Sequence, residues 1–216
     1  MTFDAMNNRF AEARAAMVDN QLRPEGVTDA ALLDAMAAIP RERYVPKGLH
    51  PIAYSDRFVP LAAGRGLMPP AALAQLIQAL APRAGDRALV IAAGTGYSAA
   101  ILTHLGLAVT ALESLPALAA LARDNGIEIV EGPLEDGHKA GAPYDIILID
   151  GGVERVPEPI IAQLANGGRL ATVVCERGVG RLAVGTRVGK AFGLRPFADT
   201  SLPVLPGFAR AHSFVF

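Results

Sequence analysis

The chain has 216 residues, 51% of them hydrophobic and 19% charged, enough to bury one core of ordinary domain size. A net charge of -1 excludes a basic footprint for nucleic acid or anionic membrane at the whole-chain level, and the single cysteine, Cys175, excludes an internal disulfide. The N-terminus has no apolar core of the signal-peptide kind, and no apolar run nears the ~20 residues of a membrane helix, so a cytoplasmic, soluble protein with no nucleic-acid and no membrane partner is expected.

In chain order, residues 4–22 are predicted to form a helix with Phe10, Ala13, Met17 and Leu22 on one face, ended by Pro24 and Gly26. Thr28 is expected to cap a second helix whose apolar face is Ala31, Leu32, Ala35 and Met36, stopped by Pro40. Residues 40–70 carry many prolines and glycines and read as a connecting region, with a short strand around Arg57 to Leu61. Pro69 or Pro70 opens the next helix, with Leu73, Leu76, Ile77 and Leu80 at helical spacing and Pro82 and Gly85 closing it. A strand from Ala88, a small-residue loop and a helix from Ser98 to Leu105 follow. Leu107 to Leu112 is a second strand ending at Glu113, Pro116 to Asn125 a helix closed by Gly126, and Ile127 to Glu131 a third short strand. Ile146 to Ile149, bracketed by Asp145 and Asp150, is apolar throughout, as a central parallel strand would be. Pro157 to Leu164 is a helix and Arg169 to Cys175 a strand, with Cys175 a buried small hydrophobe. Val179 to Gly185 and His212 to Phe216 are expected to be antiparallel strands. The alternation implies an α/β fold: a Rossmann-like, mostly parallel sheet with helices on both faces, an N-terminal helical layer and antiparallel C-terminal strands. One domain over 1–216 is expected, with 1–70 a helical cap region and 71–216 the core.

The loop after the first core strand carries the most information. Gly94 and Gly96 permit positive φ and a close approach of backbone to a ligand. Glu113 stands about twenty residues on, at the end of the next strand, where an acid meets a ribose. The third glycine of the dinucleotide fingerprint is Ala99 here, a tolerated variant, and no Gly-Lys-Ser/Thr follows to make a phosphate loop. On the residues alone, a dinucleotide and S-adenosylmethionine both remain open. The four histidines, His50, His104, His138 and His212, lack ligand spacing, so no metal site is expected. Arg41, Glu42 and Arg43 read as a solvated turn after Pro40, and Arg177 and Arg181 as solvated, with the edge of the cleft as their alternative place.

Six segments, taken together and in order, resemble the protein-L-isoaspartate O-methyltransferase family: Met17–Leu22, Ala35–Pro46, Ala53–Asp56, Gly94–Tyr97, Ala142–Asp145 and Gln163–Arg169. The Pro-Arg-Glu-Arg-Tyr-Val-Pro run at 40–46 is the most specific of them. The resemblance implies S-adenosylmethionine as cofactor and methyl esterification of isoaspartyl carboxylates in damaged proteins or peptides. It implies a cofactor site from Ala92, Ala93, Gly94, Thr95, Gly96, Tyr97, Glu113, Gly132, Pro133, Leu134 and Asp150, and acceptor contacts from Tyr54, Asp56 and Met68. Ser55 and Arg65 are further local options for the acceptor. The chain departs from the family pattern at several points. Val90 stands for the family's loop acid and Ala92 for its first glycine. Met68 stands for the serine near the acceptor, so no catalytic residue is assigned. Gly132–Leu134 replaces Gly-Asp-Gly, with Glu135 or Asp136 as candidate substitutes for the adenine acid. Asp150–Gly152 replaces Thr-Ala-Ala, with Asp150 a candidate for the lost loop acid. These departures leave two alternatives: a cofactor-binding regulatory homologue, and a methyltransferase for another acceptor. A carboxylate is already a nucleophile at neutral pH, so no Ser/His/Asp cluster is required, and catalysis rests on positioning and exclusion of water.

Overall fold

A computed structural model describes residues 3–62 and 64–210. The first predicted helix is realised as α1 (Phe3–Met17) followed by a π-helical turn over Val18–Leu22. Met17 and Leu22, five positions apart, would diverge on an α-helix; the wider turn lets both point inward, and both are fully buried. The cap of α2 (Ala30–Ala38) is Asp29 rather than Thr28: its Oδ1 accepts from the Leu32 N–H at 3.0 Å. The Thr28 N–H instead donates to Gln78 Oε1 at 2.7 Å, as does that of Asp29 at 3.0 Å.

The connecting region holds two 3₁₀ turns, Arg41–Tyr44 and Lys47–Ile52, and then a hairpin of β1 (Val59–Ala62) and β2 (Arg65–Leu67), antiparallel with Ala62 opposite Arg65. Pro70 opens α3 (Pro70–Leu80), and the Asp56 side chain accepts from the Ala71 N–H at 3.1 Å, filling the acceptor role that proline at the cap position cannot.

Among the described residues the main sheet has seven strands, in the order β5-β4-β3-β6-β7-β8-β9. They are β3 (Arg87–Ile91), β4 (Ala108–Glu113), β5 (Ile129–Glu131), β6 (Tyr144–Val153), β7 (Leu164–Glu176), β8 (Val179–Thr186) and β9 (Leu194–Thr200). The first five run parallel, and β8 and β9 are antiparallel. The helices between them are α4 (Tyr97–His104), α5 (Pro116–Asp124) and α6 (Glu158–Ala162). The strand pairing with β8 is therefore Leu194–Thr200; the expected strand at His212–Phe216 lies outside the described residues. Pro196 and the exposed flanks of β9 suit an edge strand, and they are what hid it from a period-2 reading.

Side chains alternate across β3. Ala88 and Val90 join a cluster with the N-terminal helices, α3 and α4, while Leu89 and Ile91 join Ile160 of α6, Leu205 and Phe208 on the other face. Gln78 of α3 binds the N-terminal layer through three residues, donating to the Gly26 carbonyl at 3.0 Å besides accepting from Thr28 and Asp29. Cys175 is buried. No helix among the described residues is long and apolar enough to cross a membrane.

Candidate functional site

Strand order reverses between β4-β3 and β3-β6, and the loop leaving β3 lies at that reversal, the point where open α/β sheets bind ligands. The backbone takes φ +67° at Ala92, +59° at Gly94 and +95° at Gly96. Gly96 is required twice over: besides its φ, a Cβ there would lie 2.5 Å from Ile127 Cγ1. A Cβ at Gly94 would lie 3.6 Å from Leu61 Cδ1, so β1 of the hairpin packs over the loop. Thr95 Oγ1 donates to the Tyr44 carbonyl at 2.6 Å and Asn125 Nδ2 to the Thr95 carbonyl at 3.1 Å, pinning the loop from two sides. Ala92, Ala93, Thr95 and Tyr97 are all buried.

Glu113 ends β4 and is fully buried. Its Oε1 accepts from the N–H groups of Ser114 at 2.8 Å and Leu115 at 3.0 Å; its Oε2 accepts from the Gly94 N–H at 2.8 Å and from Arg65 Nη2. The carboxylate thus ties the glycine loop to the end of β4, and its roughly four acceptor directions are all taken. Arg65, on β2, is 3% exposed, and its Nε and Nη1 have no hydrogen-bond partner among the described residues.

Asp150 lies where β6 loses register against β7, and its Oδ2 accepts from Ser98 Oγ of α4 at 2.6 Å. Its Oδ1 has no partner among the described residues. Burial pushes its carboxyl up to about 6, against the Ser98 hydrogen bond and the positive charges of Arg65 and Arg41, while the Glu113 charge adds to the rise.

Arg41 overturns the expected solvated turn. Its 3₁₀ turn directs the side chain inward, where it is fully buried. Nε donates to the Ala53 carbonyl at 2.7 Å, Nη2 to the Met68 carbonyl at 2.5 Å, and the guanidinium lies 4.7 Å over the Tyr97 ring. Arg41 Nη1 and the Tyr97 hydroxyl have no partner among the described residues. Nothing in the local pattern announced this, because its acceptors are 12 and 27 positions away.

The remaining expected residues fall into two groups. Leu134 is buried in the cluster that holds Ala92 and Leu112; the Gly132 N–H donates to the Glu113 carbonyl at 3.2 Å, while Pro133, Glu135 and Asp136 are exposed. Met68 is buried and meets Arg41 through its carbonyl. Tyr54 and Asp56, by contrast, serve local structure. The Tyr54 hydroxyl donates to Glu42 and accepts from Arg14 Nη1 at 3.3 Å and the Arg41 N–H at 3.2 Å, and Asp56 holds the start of α3. Arg181 is half-exposed, paired with Asp199 at 3.5 Å.

The C-terminal segment packs on the end of β6. A Cβ at Gly151 would lie 2.6 Å from Leu205 Cγ, so the small residue admits Leu205. The Leu205 N–H donates to the Gly152 carbonyl at 2.8 Å, and Phe208 is fully buried behind it. The loop, the start of α4 and the acid at the end of β4 fit an adenosyl ligand in type and order, and five buried polar atoms nearby await partners: Asp150 Oδ1, Arg41 Nη1, Arg65 Nε and Nη1, and Tyr97 Oη.

Comparison with known proteins places this architecture. The family model described as protein-L-isoaspartate(D-aspartate) O-methyltransferase matches residues 12–188. A protein-L-isoaspartate O-methyltransferase from Methylorubrum extorquens (strain PA1) is 41% identical over 209 residues, covering 93% of this chain and 92% of the relative. One from Methanoculleus marisnigri is 40% identical over 171 residues, covering 76% of this chain and 78% of the relative. A solved protein-L-isoaspartate O-methyltransferase superposes with a TM-score of 0.79 at 25% identity, covering 90% of this chain and 66% of that one. A Plasmodium falciparum structure in complex with S-adenosyl-L-homocysteine has the same fold, with a TM-score of 0.73 at 20% identity, covering 89% of this chain and 97% of that one.

Proposed function

The chain belongs to the protein-L-isoaspartate O-methyltransferase family, and from that premise we propose that it transfers a methyl group from S-adenosylmethionine to the carboxylate of isoaspartyl residues in damaged proteins and peptides. The observation that carries the reading is the unit formed by the Gly94 N–H and the Glu113 carboxylate at the reversal of strand order. The chain acts as one domain, supported by a buried cluster that runs from Met17 and Met36 through Leu76 to Val90 and Leu148. Residues 1–70 cover a core of 71–216, and a cytoplasmic setting suits the unpaired Cys175 thiol.

S-adenosylmethionine supplies a sulfonium methyl that a carboxylate oxygen takes directly, so the acceptor needs no base. Ala92, Ala93, Gly94, Thr95, Gly96 and Tyr97 would line the donor, and the loop brings backbone rather than side chains to it. Glu113 would hold ribose hydroxyls, with Gly132, Pro133 and Leu134 beside the adenine. Asp150 is charged in most molecules at neutral pH and lies beside α4 with one oxygen unused. Met68 and its neighbours face the acceptor side, where Arg41 fixes the Met68 backbone. The burial of Ala92, Ala93, Thr95, Tyr97, Glu113, Asp150 and Met68 excludes water, which competes with the acceptor for the methyl group.

Incubation with S-adenosylmethionine and an isoaspartyl peptide, read by mass spectrometry, is expected to show one methyl ester on that peptide and none on its aspartyl counterpart. Absence of transfer at saturating cofactor overturns the reading.

A further inference from the structure

Resting on the methyltransferase reading, we propose that Arg65 is both the gate to the cofactor site and the receptor for the acceptor's carboxylate, so that cofactor must bind before acceptor. The argument begins at Glu113. Three of its five hydrogen bonds come from backbone N–H groups of Gly94, Ser114 and Leu115, which the loop and the turn after β4 hold in place. Among the described residues, the other donors are the Ser114 hydroxyl, 3.5 Å from Oε1, and on Oε2 Arg65, a long side chain on a three-residue strand. A ligand hydroxyl that uses Glu113 Oε2 must therefore take the place of Arg65.

Displacement leaves a cation in a buried place. Arg65 is 3% exposed, and two of its donors, Nε and Nη1, already lack partners among the described residues. A buried guanidinium without a counter-charge is costly, and a planar carboxylate is the group its fork fits best. The acceptor of the proposed reaction is a carboxylate. Asp150 meets the need only in part: its Oδ2 is held by Ser98, so a single oxygen, Oδ1, is free for a fork that takes two. Arg41, the other buried guanidinium, is fixed to the Ala53 and Met68 carbonyls. Arg65 is thus the cation available to move. The hairpin that carries it also lays Leu61 over Gly94, so movement of Arg65 and opening of the cofactor loop belong to one element.

The experiment has two arms. Calorimetry with S-adenosylhomocysteine compares the wild-type chain with Arg65→Gln, and steady-state methylation of an isoaspartyl peptide gives KM and kcat for both. Arg65→Gln is expected to bind S-adenosylhomocysteine about tenfold more tightly, because a competitor for Glu113 is gone. Its peptide KM is expected to rise about tenfold with kcat little changed, because a charge-assisted contact to the acceptor is lost. In the second arm, fluorescence anisotropy of a labelled isoaspartyl peptide on the wild-type chain is expected to show binding with S-adenosylhomocysteine present and none without it. Should circular dichroism show Arg65→Gln unfolded, Arg65→Lys and the wild-type anisotropy decide. Unchanged or weaker cofactor affinity in the folded variant, an unchanged peptide KM, or peptide binding that ignores cofactor overturns the proposal while leaving a methylating wild-type enzyme intact. A wild-type chain that neither binds S-adenosylhomocysteine nor methylates the peptide overturns the underlying reading, and this proposal with it.

Discussion

Single residues at the site combine binding with stability. Glu113 neutralises Arg65 in an ion pair whose side chains are 0% and 2% exposed. Glu113→Gln leaves that guanidinium buried without a counter-charge, and the expected loss is about 3–5 kcal/mol, read by urea unfolding. A loss under about 1 kcal/mol would show that the pair is not held in the folded state. Asp150 makes a pH prediction. Its carboxyl is raised from 3.8 to about 6, so the native state keeps a proton that the unfolded chain has released between those values. Stability from this residue therefore rises as pH falls through 6 toward 4, by about 3 kcal/mol at most, and is lost as pH rises through 6. Asp150→Asn keeps an acceptor for Ser98 but cannot titrate. Its urea midpoint is expected to vary less than wild type between pH 4 and pH 7, and equal pH dependence would refute the assignment.

At the scale of elements, the helical layer of the first seventy residues is tied to the sheet by few polar anchors and a broad apolar face. Gln78 is the clearest anchor, because one side chain closes four hydrogen bonds to the turn before α2. Gln78→Ala is expected to cost about 1–2 kcal/mol and to speed proteolysis between α1 and α2, since the backbone N–H groups it leaves are near enough to solvent to find water. The hairpin β1–β2 works differently: it is short, it brings Arg65 inward, and its Leu61 covers the glycine loop. Sequence reading placed a strand near this hairpin but not its partner. A three-residue strand of Arg65, Gly66 and Leu67 carries no period to detect, and it is stabilised by what Arg65 and Leu67 meet rather than by its own pattern.

Across the whole molecule, two apolar clusters sandwich the sheet, and the segment after β9 completes the second of them. Phe208 is fully buried there, so Phe208→Ala is expected to lower stability by about 3–5 kcal/mol, measured by thermal or urea unfolding; a change under 1 kcal/mol would mean the segment is not docked in solution. The sequence by itself determined the alternating α/β order, a helix start at Pro69 or Pro70 and another at Pro116, the glycine loop after β3 and the acid at the end of β4. Those features are written in short-range periodicity and in the backbone needs of proline and glycine, which do not depend on distant partners. Tertiary structure alone decided that Arg41 is interior, that Leu194–Thr200 pairs with β8, and that Glu113 is already engaged by an arginine 48 positions earlier. The physical reason is that a charged residue is written the same way whether it meets water or a carboxylate. Only the fold, by bringing Arg65 to Glu113 and away from solvent, makes its burial affordable.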